Sequence, residues 1–154
     1  MYTTLLSLHS ILRWLVLASL LYAIYRSYQG YMLKRYFTKT EDSIRHWTAT
    51  IAHVQLVVGF TLYIKSPLVK FFWTTNQKTT QALDTSFFGW MHILFMLLAI
   101  VVITIGSAKT KRMSSDQEKF KILLIWFGLA LFIILLAIPW PFSPLVNRPY
   151  IRPF

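Results

Sequence analysis

The sequence predicts an all-α polytopic membrane protein, an up-down-up-down bundle of four transmembrane helices with both termini outside. Three observations predict it. Of 154 residues, 56% are hydrophobic and only 14% charged, with a mean hydropathy of +0.52, a balance too apolar for an ordinary water-soluble domain. Four segments, 4–25, 46–65, 86–107 and 120–138, approach the roughly 20 apolar residues that cross a bilayer. The connectors after the first and third segments are markedly basic, which sets an orientation. No soluble domain fits between the spans, so residues 1–154 form one membrane domain.

The first span begins at MYTTLLSLHS, which lacks the basic start and small-residue cleavage site of a removable signal peptide, so this apolar run is expected to persist. It is followed by RSYQGYMLKRYFTKTEDSIR, and the third span by SAKTKRMSSDQEKFK. By the positive-inside rule, residues 26–45 and 109–121 lie on the cytoplasmic side. Between the second and third spans, Ser66-Pro67 should stop the helix, because proline cannot donate to the ladder, and LVKFFW reads as a short interfacial segment. The tail from 139 to 154 holds five of the six prolines and should leave the helix as an extended outer arm.

The net charge of +11 sits beside the apolar runs rather than in one tract, which points to lipid headgroups and topology and not to nucleic acid. The absence of cysteine excludes disulfides, thiolate metal sites, iron–sulfur clusters and covalently attached haem. There is no Ser-His-Asp set, no paired carboxylate within a span and no glycine-rich phosphate loop, so nothing points to a hydrolase or transferase.

An ionisable group inside the bilayer costs roughly 2.5–3.5 kcal/mol on insertion scales, so those present are functional candidates. They are His9, Arg13, His53 and His92. His46, between Arg45 and Trp47, reads as interfacial. At the helical rise of about 1.5 Å per residue, His9 lies about 7 Å deep, His92 about 9 Å, Arg13 about 13 Å and His53 about 18 Å. Gly89, His92, Met96, Ala99, Ile103 and Gly106 form a small-residue seam that should point His92 into the bundle. His46, Thr50 and His53 share a second stripe, expected to bring His53 inward as well.

Level histidines on facing helices suit a b-type haem held without covalent attachment, its iron ligated by neutral imidazoles. His9 and His92 are the best axial pair, with His53 as the second choice beside either. Arg13 is more demanding. All five acids, Glu41, Asp42, Asp84, Asp116 and Glu118, lie in connectors, so its counter-charge must come from elsewhere: a haem propionate, a quinone oxygen, a lipid phosphate, the terminal carboxylate of Phe154 or a partner's acid. Met91 and Met96 with the histidines would also suit copper, although methionine in an apolar helix is usually filler. Trp14 and Trp90 are placed to contact a flat ring.

LHSILRW, HWTATIAHVQLVVGF and FFGWMHILFMLL together resemble the small four-helix bacterial membrane proteins described as cytochrome-b-like. The resemblance covers the whole chain in length, span number and histidine placement. It implies non-covalent haem and electron transfer in the bacterial cytoplasmic membrane, with His9, His53 and His92 at the matching positions. The sequence lacks the two clear histidine pairs on two helices of the dihaem b cytochromes, which argues against a second haem.

The expected function is therefore that of an integral membrane b-type haem protein carrying electrons between quinone and a partner, by itself or as the electron-transfer subunit of a membrane oxidoreductase. Partner membrane subunits or a homo-oligomer fit the same picture. The alternative is a non-catalytic accessory subunit of a larger membrane complex, in which Arg13 meets a partner's acid. A third reading is a proton-coupled transporter with the histidines as a relay.

Overall fold

The computed structural model describes residues 1–74, 85–143, 146 and 148–150. Most of the second half of the connector before the third span, including Asp84, and the end of the tail with Phe154 lie outside the described residues. The helices are α1 (Tyr2–Met32), α2 (Lys39–Lys65), α3 (Pro67–Thr74), a π-helical turn at Phe87–Met91, α4 (His92–Arg112) and α5 (Asp116–Ala137). Among the described residues there is no strand. Four stretches, Tyr2–Met32, Lys39–Lys65, Phe87–Arg112 and Asp116–Ala137, are long and apolar enough to cross a membrane.

Helix α1 has 31 residues, about 46 Å at the α-helical rise, more than the hydrocarbon layer of about 30 Å. Its last two turns carry Arg26, Tyr28 and Tyr31, residues that suit headgroups. It ends with Lys34 in the left-handed region at φ 50°, where the Arg35 N–H reaches back to the Gly30 carbonyl at 3.0 Å. That is the closing bond of a Schellman motif, made here around a lysine instead of the usual glycine.

Helix α2 begins seven residues before the apolar run read from the sequence, because Thr38 and Glu41 cap it reciprocally. The Thr38 hydroxyl accepts from the Thr40 N–H at 3.2 Å, and the Glu41 carboxylate accepts from the Thr38 N–H at 3.2 Å. Such a box satisfies N–H groups that the first turn leaves orphaned. The helix stops where the sequence says it should: Ser66 is extended and Pro67 opens α3, a favoured place for proline. At the far end of the chain, α5 stops at Ala137 and Ile138 turns extended before Pro139, as the residue preceding a proline prefers.

The four long helices close a ring in which α1 touches α2 and α5, and α4 touches α5 and α2. The core is made mainly of small and branched residues, Leu20, Ala23, Ala52, Ala99, Ile103 and Ala130 among them, around the fully buried Phe127 ring. Helix α5, which has no titratable side chain after Lys121, contributes the largest share of this core. Close approach is enabled by Gly30, whose Cα faces the Phe120 ring, and Gly106, which faces Trp126, the small-residue packing that membrane helices favour. Between α1 and α2 the Thr48 hydroxyl donates to the Ser19 carbonyl at 3.3 Å.

One end of the bundle is tied by charges. Arg26 pairs with Glu41. Arg45, buried, donates to Asp42 at 2.9 Å through Nε and to the Ser107 hydroxyl at 2.5 Å through Nη1. Helices α1, α2 and α4 are thereby joined at this end. The looser seam of the ring is that between α2 and α4.

Candidate functional site

Opposite the tied end lies a partly open cavity of about 170 Å³, walled by Val16, Leu56, Ile93, Ile100 and Ile134, with the half-exposed Phe60 also in its lining. Only a few polar side chains reach it, among them His9 and Arg13 from α1, Gln55 from α2 and His92 from α4. Apolar walls with a few converging polar groups are the usual make-up of a small-molecule site.

His9 and His92 meet there. Their ring centres are 6.3 Å apart and their planes inclined by 72°. The His92 Nδ1 is 2.9 Å from the Ala137 carbonyl. A carbonyl can only accept, so Nδ1 carries the proton and, in the neutral ring, Nε2 is a bare lone pair. This is the orienting bond that metal-ligating histidines characteristically make. The bond is possible because α5 ends at Ala137, where a helix leaves its last carbonyls without intrahelical donors. Phe87 and Phe88 flank the His92 ring at 5.7 and 6.1 Å.

The His9 ring lies against Gly59 of α2: a Cβ there would sit 3.0 Å from Cε1 and 3.4 Å from Nδ1. Glycine at this position makes room for the ring. One turn earlier, the Gln55 amide nitrogen donates to the His9 carbonyl at 3.0 Å. The His9 Nδ1 and the Gln55 Oε1 are both buried without a hydrogen-bond partner.

His92 owes its placement to the π-turn that precedes it. A π-turn inserts one residue per turn and frees a carbonyl, and such turns recur at functional sites. Here the Tyr63 hydroxyl donates to the Gly89 carbonyl at 2.7 Å, and in turn accepts from the Trp73 Nε1 at 3.1 Å. Gly89 itself is required by contact, since a Cβ would come within 2.5 Å of the Phe72 ring. Helices α2 and α3 thus hold the turn that aims His92.

Arg13 donates through Nη2 to the backbone carbonyl of Tyr150 in the tail, and the Trp14 Nε1 donates to the same oxygen at 3.1 Å. The Arg13 Nε is buried without a partner, and among the described residues no acid pairs with Arg13. Trp14, Trp140 and Tyr150 form an aromatic cluster with ring centres 6.1–6.4 Å apart. The Arg148 guanidinium stands 5.2 Å over the Phe88 ring. The tail therefore links α1 to the π-turn across the rim of the cavity.

His53 does not belong to this site, which corrects the expectation from its stripe. It is exposed and absent from the cavity wall. Its Nδ1 is 2.7 Å from the Ala49 carbonyl and its Nε2 3.0 Å from the Thr104 hydroxyl, so both ring nitrogens are engaged. A stripe of polar residues turned out to satisfy itself on the bundle's flank. His46 is exposed beside Trp47. Of the other candidates, Met96 lines the cavity, whereas Met91, Trp14 and Trp90 do not.

Gln55 and Tyr63 escaped the sequence reading, which weighed ionisable groups. A signal was present: Gln55 is an uncharged polar residue within a span, one turn from a glycine.

In donor type the pair would suit a haem iron: His9 and His92 are the two imidazoles that would hold it, with ring centres 6.3 Å apart. Among the described residues no three His, Cys, Asp or Glu side chains form a group that could hold a metal ion. No family model matches this chain, and no curated protein or solved structure matches it either.

Proposed function

We propose that this chain is a multi-pass protein of the bacterial cytoplasmic membrane that binds one b-type haem between His9 and His92 and takes part in electron transfer, with quinone and a partner protein as the exchange partners. The 6.3 Å spacing of the two rings is the observation that carries the reading. In this picture the four helices run up-down-up-down, both termini are outside, and the basic connectors 26–45 and 109–121 face the cytoplasm.

Haem, when bound, supplies reversible one-electron chemistry at iron. The protein's residues supply the rest. His92 presents Nε2 because Ala137 holds its Nδ1–H, and this bond also raises the basicity of the ring. His9 presents its ring from α1, backed by Gly59. Arg13 brings a positive charge to the rim, where a carboxylate would be bound by a charge-assisted hydrogen bond. The apolar walls keep water from the ring faces.

Protein purified in detergent from haem-replete cells is expected to show a Soret band that shifts on reduction. His9→Ala and His92→Ala should each abolish or strongly change it, and His53→Ala should leave it unaltered. A colourless wild type that takes up no added haemin would end this reading, and loss of the band in His53→Ala alone would reassign the ligands.

A further inference from the structure

The two basic connectors meet at the tied end of the bundle. The Gln117 Nε2 of α5 donates to the Arg35 carbonyl at 3.4 Å, and the Phe37 ring centre lies 5.1 Å from that of Phe120. Residues 26–45 and 109–121 therefore build one surface. Together they hold ten Lys and Arg against four acids, Glu41, Asp42, Asp116 and Glu118. Three of those acids are occupied within the surface itself: Glu41 with Arg26, Asp42 with Arg45, and Asp116 with Lys119 at 3.9 Å. Seven cations are left, with Glu118 as the one remaining acid of the two connectors. All seven are exposed.

They are distributed over the ends of all four long helices. Lys34 and Arg35 follow α1, Lys39 opens α2, Lys111 and Arg112 close α4, and Lys121 lies in the second turn of α5. Lys109, one turn inside α4, holds its ammonium 4.8 Å over the Trp126 ring. Tyr25, Tyr28, Tyr31 and Trp47 are exposed at the same end. Amphipathic aromatics interleaved with lysine and arginine stems are the make-up of a headgroup layer. A nucleic acid asks instead for cations gathered on one face or along one helix. Orientation during insertion depends only on how many such charges there are. A lipid shell depends on which of them the folded chain leaves exposed and without an acid.

We propose that the tied end binds a shell of anionic phospholipids, whose phosphates meet these seven cations while the tyrosine and tryptophan rings lie at the same level. The attraction is shared among many contacts, each lysine or arginine near a headgroup favouring an anionic lipid about fivefold. A zwitterionic lipid gains far less, because its own ammonium neutralises its phosphate. Arg26, Arg45 and Lys119 contribute little, since their charge is already answered.

The test uses the full chain, without haem, in phosphatidylcholine vesicles of the same composition in both leaflets, so that orientation does not enter the result. Spin-labelled phosphatidylglycerol and phosphatidylcholine with identical acyl chains report the motionally restricted lipid at the protein surface. In about 0.1 M salt, phosphatidylglycerol is expected to associate about fivefold more strongly. In about 1 M salt, where the Debye length falls from about 10 Å to about 3 Å, the preference should shrink to about twofold or less. Lys34→Gln, Arg35→Gln, Lys39→Gln, Lys111→Gln, Arg112→Gln and Lys121→Gln combined should show the same loss in low salt. Lys65→Gln with Lys70→Gln, at the opposite end, should keep the preference.

Equal association of the two lipids in low salt overturns the proposal, as does a preference that survives high salt or one that depends on Lys65 and Lys70. A wild type without headgroup preference that binds polyglutamate also overturns it, and assigns the surface to an acidic protein. Should the combined variant not fold, the salt series on the wild type decides.

Discussion

At the scale of single residues, what could be read in advance depended on whether a residue's partner was a side chain or backbone. His9 and His92 were legible as a pair, because helical rise alone places them at one depth, and their rings do meet. Arg13 was legible as a charge without an acid, but its partner was not. The Tyr150 carbonyl has no signature in the sequence, since every residue carries one. His53 misled for a related reason: the Ala49 carbonyl, four residues back, and Thr104 absorb its polarity, a local solution that a face-counting argument overlooks. Lys34 is a further case. Its positive φ costs a non-glycine residue about 1–2 kcal/mol. Lys34→Gly should raise stability by about 0.5–1 kcal/mol after allowing for the greater freedom of glycine in the unfolded chain. The shift would be seen in the midpoint of thermal or detergent-induced unfolding, and an unchanged or lowered midpoint would refute the strain argument.

At the scale of elements, the apolar runs located the helices but not their ends. Helix α2 starts in KTEDSIR, residues that hydropathy assigns to a connector and that capping chemistry assigns to a helix. Pro67 and Pro139, by contrast, marked their boundaries faithfully, because the missing N–H acts whatever the surroundings. The π-turn was not legible at all: FFGWM reads as ordinary span, and its distortion comes from Phe72 packed on Gly89 and from the Tyr63 hydroxyl. Tyr63→Phe removes the donor to the Gly89 carbonyl at a cost of about 1–2 kcal/mol. The amides of Phe87–His92 should then exchange with deuterium faster than in the wild type, while those of α5 stay unchanged. Uniform behaviour across both segments would mean that the turn does not depend on Tyr63.

At the scale of the whole molecule, the ring of helices is fastened at one end and cleft at the other. Arg26, Glu41, Asp42, Arg45 and Ser107 tie the end distant from the cavity. Composition showed that charges gather there, but which of them pair across helices emerged only with the fold. The cavity volume, near that of one aromatic ring, is smaller than a haem macrocycle. Haem uptake should therefore widen the seam between α2 and α4 at the cavity end. Spin labels at Val57 and Leu97 should move apart by a few ångströms on adding haemin, on the scale of helix shifts seen in other proteins, with labels near the tied end unmoved. Fixed distances throughout would argue that the site takes only smaller, single-ring molecules.

The link from Tyr150 to Arg13 and Trp14 also bears on how the protein is made. Residue 150 is synthesised after every described helix, and until it docks the path to His9 and His92 has no arm across it. Under the proposed reading, a large planar group would enter most easily before the arm docks, and the docked arm would slow its escape. If haem binds as proposed, protein shortened after Ile138 should exchange it faster than the full chain, measured by transfer to an excess of apomyoglobin.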